Sequence, residues 1–235
     1  MKYVEKGIEP DSLRALRNTE GASYSGPQED WQEALLEEQG WICAYCLGRI
    51  SLERSKSKGV APKMQIEHYL PREKHPEKAL QWRNMLGVCL GNHGIKPHCD
   101  KTEGGKNEAG TYIKGKIHGD VVLQKLDPLA KNVEALLTYS SSGEIKSVNS
   151  DPETDADLNF RLNLNDEKLI QYRKDVIDLA KSRLEKKYPD RRWNQSMFDK
   201  EIEQWSARKE DKHIPYFRAA VWFLNWLKNK PVYQK

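Results

Sequence analysis

Four cysteines carry the clearest chemical signal in this chain of 235 residues. They fall within 57 consecutive residues, as the pair Cys43 and Cys46 followed by Cys89 and Cys99. Two residues between the first pair is the spacing of a zinc knuckle, which lets both sulfurs reach one tetrahedral ion at about 2.3 Å. Gly48, just after the pair, is expected to permit the tight turn of the knuckle. The spacing therefore predicts one structural Zn²⁺ held by four sulfurs.

The second cysteine pair is spaced more widely, with nine residues between Cys89 and Cys99. The glycines and the proline of this interval allow it to fold back. One alternative is that His93 or His98 replaces a sulfur, because histidine is an ordinary zinc ligand. Another is that two cysteines are buried free thiols and the Cys-x-x-Cys pair is a redox motif.

A second group of polar residues lies between and just after the cysteine pairs. The chain reads Ile-Glu-His-Tyr-Leu-Pro at 66–71, Trp-Arg-Asn-Met-Leu-Gly-Val-Cys at 82–89 and His-Cys-Asp-Lys at 98–101. This order resembles the cysteine-containing HNH nucleases. In that family an acid-His pair ends a strand, an Asn precedes the second cysteine pair, and a His, Asn or Asp follows the last cysteine. The resemblance implies an α+β fold with a ββα-metal core and zinc knuckles.

The intervals between the motifs decide how they correspond to the family's pattern. The interval from Asn84 to Asp100 is seven residues longer than the family's usual one. The second cysteine pair is also seven residues longer than a two-residue knuckle. One insertion explains both differences and makes Asp100 the third HNH position, with His98 and His93 as rivals.

The resemblance assigns these residues to phosphodiester hydrolysis, which needs a base to deprotonate water and a cation to neutralise charge on the phosphate. His68, with an ordinary pKa of about 6.5, is the expected base. Glu67 and Asp100 offer hard carboxylate oxygens suited to a catalytic Mg²⁺ or Mn²⁺. Asn84 is expected to orient the His68 loop by hydrogen bonding rather than to react.

Positive charge is concentrated in the same stretch. From Cys43 to Lys106 the chain carries twelve Lys and Arg against six Asp and Glu, whereas the net charge of the whole chain is only +4. This is a modest footprint for a polyanion such as nucleic acid. Arg72, Lys101 and Lys106 are candidate phosphate contacts, with a solvated surface as the alternative for each. His75 is expected on the surface of a loop.

Length and composition limit the class of protein. The chain is long enough for one or two domains, and its seven Trp and ten Tyr supply large apolar faces to bury. No stretch of about 18 apolar residues occurs, and the charged N-terminal residues lead into no signal peptide. We therefore expect a cytoplasmic protein without a membrane partner, in which cysteines are thiols or metal ligands rather than disulfides.

Hydrophobic periodicity and turn signals predict three regions. These are an N-terminal arm and helix at 1–40, a region at 41–150 that ends in short strands, and a mainly helical region at 151–235. The resemblance makes the region at 41–150 an HNH nuclease domain with structural zinc. Within the first two regions the predicted elements are a helix at 30–39 closed by Gly40, a strand at 63–66, a helix within 75–83, and short strands in 111–148 that include a hairpin around 140–143.

In the last region, residues 151–155 mark the expected boundary, and helices are predicted at 166–188, 198–205 and 217–227. The Leu-Asn-Leu-Asn motif at 162–165 is expected to pack back on the short strands. The tail at 213–227 is far more apolar than the chain as a whole. Its aromatic residues either complete the protein's own core or offer an anchor to a partner.

A closer resemblance rests on the residues at 2–13, on the 82–89 segment and on the 162–165 motif. These look like the HNH proteins of Septu and retron-associated anti-phage systems. The resemblance implies the nuclease of a bacterial defence system that acts with a PtuA-like ATPase, with DNA rather than RNA as the expected substrate. Two alternatives stay open at this point: a nuclease that cuts RNA, and a catalytically silent zinc module that recruits partners.

Overall fold

The computed structural model describes residues 1–52, 64–91, 94–101, 123–190 and 192–233. In these ranges the protein has two small antiparallel sheets and six α-helices, which confirms the expected α+β class. The helices are α1 (Asp11–Arg17), α2 (Glu29–Gln39), α3 (Pro152–Ala156), α4 (Glu167–Lys187), α5 (Gln195–Ser206) and α6 (Phe217–Lys228). The strands are β1 (Met64–His68), β2 (Met85–Cys89), β3 (Leu137–Tyr139) and β4 (Ile145–Ser147). Short 3₁₀ turns include Pro76–Lys78, Trp82–Asn84 and Cys99–Lys101.

Strands β1 and β2 form the sheet that carries the expected nuclease motifs. They pair antiparallel, from Met64 with Cys89 to His68 with Met85. All of β2 is buried, whereas the three central residues of β1 are half-buried. The strand expected near residue 64 is therefore confirmed, and its carboxyl end lies beside the start of β2.

The connection from β1 to β2 contains no α-helix, so the helix predicted within 75–83 is wrong. Two short 3₁₀ turns occupy the connection instead. The side-chain amide of Asn84 donates to the carbonyls of Leu70 (3.0 Å) and Lys78 (3.2 Å). These hydrogen bonds use a carbonyl that a continuing helix would need and draw the connection into a compact loop.

Helix α2 leads directly to the cysteine knuckle. It ends at Gly40, which has the left-handed φ of 67° typical of a helix C-terminus, as predicted. The buried amide of Gln39 donates to the carbonyls of Ile42 (2.9 Å) and Gly87 (2.7 Å), and it accepts from the Gly87 N–H (2.7 Å). A side chain at Gly87 would lie 3.3 Å from this amide. Gln39 thus fastens α2 to the centre of β2.

The predicted hairpin and its contact with the Leu-Asn-Leu-Asn motif are both confirmed. Strands β3 and β4 pair antiparallel. The Asn165 side chain accepts from the Ile145 N–H (3.0 Å) and donates to the Ile145 carbonyl (2.8 Å), so this motif packs back on β4. Residues 111–122, the first part of the stretch in which short strands were expected, are not described.

Two short helices were not predicted. Helix α1 follows Pro10 and carries Asp11 in its first turn. Helix α3 begins after Asp151, whose carboxylate caps it by accepting from the Thr154 N–H (2.9 Å), and it occupies the expected boundary at 151–155. Both are shorter than a reliable periodic pattern, because seven and five residues span two turns at most.

The three predicted C-terminal helices are present as α4, α5 and α6. In α6 the side chains of Phe217, Val221 and Leu224 are buried, whereas Trp226 is 43% exposed. Most of the apolar tail therefore completes the protein's own core. Across the described ranges, no helix combines the length and apolar character needed to span a bilayer.

Hydrogen bonds cross the borders of the three predicted regions. The Tyr216 N–H donates to the Leu47 carbonyl (3.0 Å), and the Cys99 N–H donates to the Leu162 carbonyl (2.8 Å). The helical region is thus in direct contact with the cysteine-rich region. The division into regions stays a prediction.

A buried ion pair fastens the N-terminal arm to α2. Lys6 pairs with Glu38, and each side chain is less than a tenth exposed. The Lys6 ammonium also donates to the Met85 carbonyl (2.9 Å) and lies 3.9 Å from the centre of the Trp82 ring. Burial lowers the pKa of Lys6 and raises the pKa of Glu38, so each charge depends on the other.

Replacing Glu38 by alanine should lower the free energy of unfolding by about 3–5 kcal/mol, because it leaves the Lys6 charge buried without its partner. Chemical denaturation of the parent and the variant measures this loss. Glu37→Ala is the matched control, since Glu37 is exposed on the same helix, and it should change stability by less than about 0.5 kcal/mol. Equal stability of the two variants would contradict the prediction.

Candidate metal centre and nuclease site

Cys43 and Cys46 lie in a tight loop closed by backbone hydrogen bonds. The Cys43 N–H donates to the Gly48 carbonyl (2.8 Å), and the Leu47 N–H donates to the Cys43 carbonyl (3.1 Å). The Gly48 N–H in turn donates to the sulfur of Cys46 (3.3 Å). Such N–H to sulfur contacts stabilise a thiolate, as a zinc knuckle requires.

Gly48 has a different role from the one predicted. The left-handed residue of the turn is Leu47, with φ of 65°, so the glycine does not supply the special backbone conformation. A Cβ at Gly48 would lie 2.8 Å from the Tyr216 hydroxyl oxygen and 3.3 Å from the Cys46 sulfur. The predicted reason for this glycine, a tight turn, is therefore wrong. Glycine is needed because the knuckle packs closely against Tyr216, the residue before α6.

The four cysteine sulfurs form one buried cluster. The Cys43 and Cys99 sulfurs are 3.9 Å apart, as are those of Cys46 and Cys89. All four lie within 4.8 Å of one another. A tetrahedral ion with bonds of about 2.3 Å requires sulfur separations of about 3.8 Å. The cluster therefore fits a metal ion such as Zn²⁺.

The electrostatics of the cluster also favour a cation. Burial raises the pKa of Cys43, but hydrogen bonds from the other three thiols outweigh it and lower that pKa well below its ordinary value. Contact with Cys43 raises the pKa of Cys89, while burial followed by contact with Cys43 raises that of Cys99. A divalent cation would allow the other thiols to ionise.

The long interval between Cys89 and Cys99 folds back, as expected, and α4 holds it in place. The Asp166 carboxylate accepts from the N–H groups of Ile95 (2.9 Å) and Lys96 (2.9 Å). The same carboxylate caps α4. Residues of the helical region thus position the fourth cysteine.

His98 lies beside the sulfur cluster rather than within it. Its ring is fully buried, and Nδ1 is 3.2 Å from the Cys99 sulfur and 4.0 Å from the Cys89 sulfur. Four sulfurs already complete a tetrahedral coordination set for one ion. His98 is therefore placed to contact the metal-ligating cysteines rather than the ion itself. His93 belongs to the ranges that are not described.

Glu67 and Asp100 come together, as the HNH resemblance implies. Burial, the Asp100 charge and hydrogen bonding to the Asp100 carboxyl, in that order, raise the pKa of Glu67 well above its ordinary value. Gln65 donates a hydrogen bond to Asp100, and the Lys101 ammonium lies 3.3 Å from the same carboxylate oxygen. Two adjacent carboxylates both ionise readily when a cation lies between them. Their oxygens fit Mg²⁺ or Mn²⁺.

His68 is held in a single orientation at the end of β1. Its Nε2 lies 2.9 Å from the Ala79 carbonyl oxygen. A carbonyl only accepts hydrogen bonds, so Nε2 carries the ring proton and Nδ1 presents a lone pair. Burial, aided by the Arg72 charge, lowers the pKa of His68 to about 4. The imidazole is therefore neutral at pH 7, as a general base must be.

Glu67 and His68 leave opposite faces of β1, because adjacent strand residues alternate. Glu67 faces Asp100, whereas His68 packs against Tyr24. The Arg72 charge acts on both groups: it adds to the lowering of the His68 pKa and partly offsets the larger effects of burial and Asp100 that raise the Glu67 pKa. The site thus has a carboxylate side and an imidazole side, and the Arg72 charge acts on both.

Asn84 ties together the loop that follows His68. Its Oδ1 accepts from the Leu70 N–H (2.7 Å), and its backbone carbonyl accepts from the Tyr69 N–H (2.9 Å). These contacts fit the orienting role that the resemblance implies. The catalytic role of Asn84 stays a prediction.

The remaining predicted residues have different outcomes. The Lys101 ammonium lies 3.3 Å from Asp100, and the Arg72 charge acts on the pKa of Glu67 and of His68. Lys106 falls within 102–122, which is not described. His75 is half-buried in the loop, with Nδ1 3.4 Å from a Glu77 carboxylate oxygen, and it has no place in the site.

Three further residues of the site were not predicted from the sequence. Gln65 donates a hydrogen bond that orients Asp100. The sequence could have indicated this residue, because residues i and i+2 of a strand share a face and Gln65 lies two residues before Glu67. Tyr45 is buried, and burial followed by the charges of Glu67 and Asp100 raises its pKa well above the ordinary value. Tyr24 comes from the N-terminal arm, and no local pattern marks it.

The fold and the sulfur cluster define an α+β protein with a candidate metal centre. No family model matches the chain. The chain is 38% identical to the Septu protein PtuB of Bacillus thuringiensis over 71 residues. This stretch makes up 30% of the chain and 25% of that protein. The matched stretch spans a quarter of that relative's length. The similarity supports a Septu-like relationship.

Proposed function

We propose that this protein is a metal-dependent HNH endonuclease that hydrolyses phosphodiester bonds of nucleic acid, with DNA as the expected substrate. The contact between Glu67 and Asp100 carries the proposal. It supplies a carboxylate pair for a divalent ion at the end of the strand that holds a neutral His68. Structural zinc chemistry at the sulfur cluster has no need of this pair.

Each residue has a defined task in the proposed reaction. Glu67 and Asp100 would hold Mg²⁺ or Mn²⁺, which neutralises charge on the phosphate and on the leaving oxygen. The Nδ1 of His68 accepts a proton from water as the water oxygen bonds to phosphorus and the ester P–O bond breaks. Arg72 and Lys101 bind phosphate oxygens, and Asn84 keeps the His68 loop in place.

We further propose that the nuclease serves an anti-phage defence system together with a PtuA-like ATPase. The sequence resemblance and the similarity to the Septu protein PtuB support this. The sulfur cluster would hold Zn²⁺ and fix β2 to the loop that carries Asp100. Zinc would then be structural, and a hard ion held by Glu67 and Asp100 would supply the charge neutralisation that hydrolysis needs.

The proposal predicts that Glu67→Ala and Asp100→Ala each lower cleavage by about 100-fold or more at low Mg²⁺, because a metal ligand is lost. Raising Mg²⁺ or Mn²⁺ should restore part of the rate. Cleavage of labelled DNA across a metal titration measures both effects. Glu73→Ala, an exposed acid in the following loop, is the matched control and should titrate like the parent. Equal metal dependence of all four proteins would contradict the assignment.

The proposed ATPase contact predicts a role for the exposed end of α6. Trp226 is 43% exposed and lies beneath the Lys230 ammonium, 3.8 Å from the ring centre. Trp226→Ala should lower co-purification with the ATPase about 10-fold or more, as loss of an aromatic anchor does. Leu179→Ala, an exposed apolar residue of α4, is the control. Unchanged co-purification of Trp226→Ala would place the contact elsewhere.

A further inference from the structure

Tyr24 contacts two different groups of the proposed site. Its ring lies 4.7 Å from the His68 ring, centre to centre, with the two planes at 87°. The guanidinium carbon of Arg72 lies 4.6 Å from the centre of the same Tyr24 ring. One aromatic side chain from the N-terminal arm therefore contacts both the proposed base and a proposed phosphate-binding residue.

The position of Tyr24 is itself fixed by buried residues. The ring lies 6.1 Å from that of Trp31, which is fully buried on α2. The Trp31 indole N–H donates to the Ser12 hydroxyl of α1 (2.7 Å). Helix α2 thus contacts Tyr24 through Trp31, and α1 fixes Trp31 through a hydrogen bond.

We infer that Tyr24 is a positioning residue that holds the Arg72 guanidinium and the His68 imidazole in the orientations that the proposed reaction needs. The inference rests on the proposed nuclease function. A free arginine side chain samples many rotamers, and stacking on an aromatic ring restricts it to a few. The His68 ring is likewise confined from two directions, by the Ala79 carbonyl and by Tyr24.

Both contacts use the ring of Tyr24 rather than its hydroxyl, which makes the inference testable by conservative replacement. In the full chain, Tyr24→Phe should keep kcat within about twofold of the parent, because the ring remains. Tyr24→Leu should lower kcat about 10-fold or more, since misplaced groups lose proximity and orientation. It should leave the zinc content unchanged. Tyr233→Leu, the same change in a separate aromatic cluster, is the matched control and should keep the parent rate.

A second measurement does not depend on cleavage. Proton NMR of the full chain should show the Arg72 Nε–H and the His68 ring protons shifted by the Tyr24 ring current. Both signals should move in Tyr24→Leu and stay in place in Tyr24→Phe. Assignment uses the variants Arg72→Lys and His68→Gln. These signals report the positions of the two side chains directly.

The outcomes separate the two claims. If the parent cleaves no DNA or RNA, the proposed function fails, and the NMR signals alone decide whether Tyr24 positions the two side chains. Unmoved signals in Tyr24→Leu overturn the inference whatever the activity. In a cleaving protein, equal kcat for Tyr24→Leu and the parent overturns it as well.

Discussion

Replacing His68 by alanine should abolish cleavage while zinc content and fold are retained. The variant loses the proposed general base, and such a base is worth about 10²–10⁴ in rate. His68 lies outside the sulfur cluster, so the metal content of the protein should not change. Single-turnover cleavage of labelled DNA at saturating Mg²⁺ measures the loss.

Two further variants test whether the effect is specific to the His68 imidazole. His68→Gln keeps a donor for the Ala79 carbonyl, so it should be folded and equally inactive. His75→Ala removes a half-buried histidine from the same loop and should cleave like the parent. Recovery of His68→Ala at raised Mg²⁺ or Mn²⁺ would instead show that His68 is a metal ligand, and that its role and that of Glu67 have been exchanged.

Replacing Cys43 by serine should remove the zinc and much of the stability. Elemental analysis of the parent should give one zinc per chain, and the variant should hold far less, because serine is a poor ligand for this softer ion. Since metal binding to such a cluster is coupled to folding, the melting temperature should fall by about 10 °C or more.

A chelator provides the control for the cysteine variant. Stripping metal from the parent should lower its melting temperature to that of Cys43→Ser, and the variant should not respond to the chelator. Added Zn²⁺ should restore the parent alone. Well under one zinc per chain in the parent, or equal stability of Cys43→Ser, would rule out a structural zinc site.

Much of the fold could be predicted because its signals are local. Helix α2 has an apolar face and a terminal glycine, and α4 to α6 show helical periodicity over a dozen residues or more. The sulfur cluster follows from the Cys-x-x-Cys spacing and the closeness of all four cysteines in the chain. The contact between Glu67 and Asp100 followed from the family's order of motifs, since neither residue alone is informative.

The features that were missed depend on residues far apart in sequence. Tyr24 reaches His68 across more than forty residues, and Lys6 reaches Glu38 across 32. Asp166 holds a loop that lies 70 residues earlier. Periodicity and turn chemistry report only neighbours along the chain, so they carry no information about such pairs. The role of Gly48 was misjudged for the same reason, because Tyr216 decides it.

The central claim is that this chain hydrolyses phosphodiester bonds by using a divalent ion at Glu67 and Asp100. The most direct measurement incubates the purified zinc-loaded protein with radiolabelled DNA and RNA, with and without the ATPase, at zero and at millimolar Mg²⁺ or Mn²⁺. We predict cleavage of DNA that requires the added ion and is lost in Glu67→Ala at low metal. Cleavage of RNA alone would keep the nuclease and correct its substrate. The absence of any cleavage in every combination would contradict the account and leave a zinc-binding interaction module.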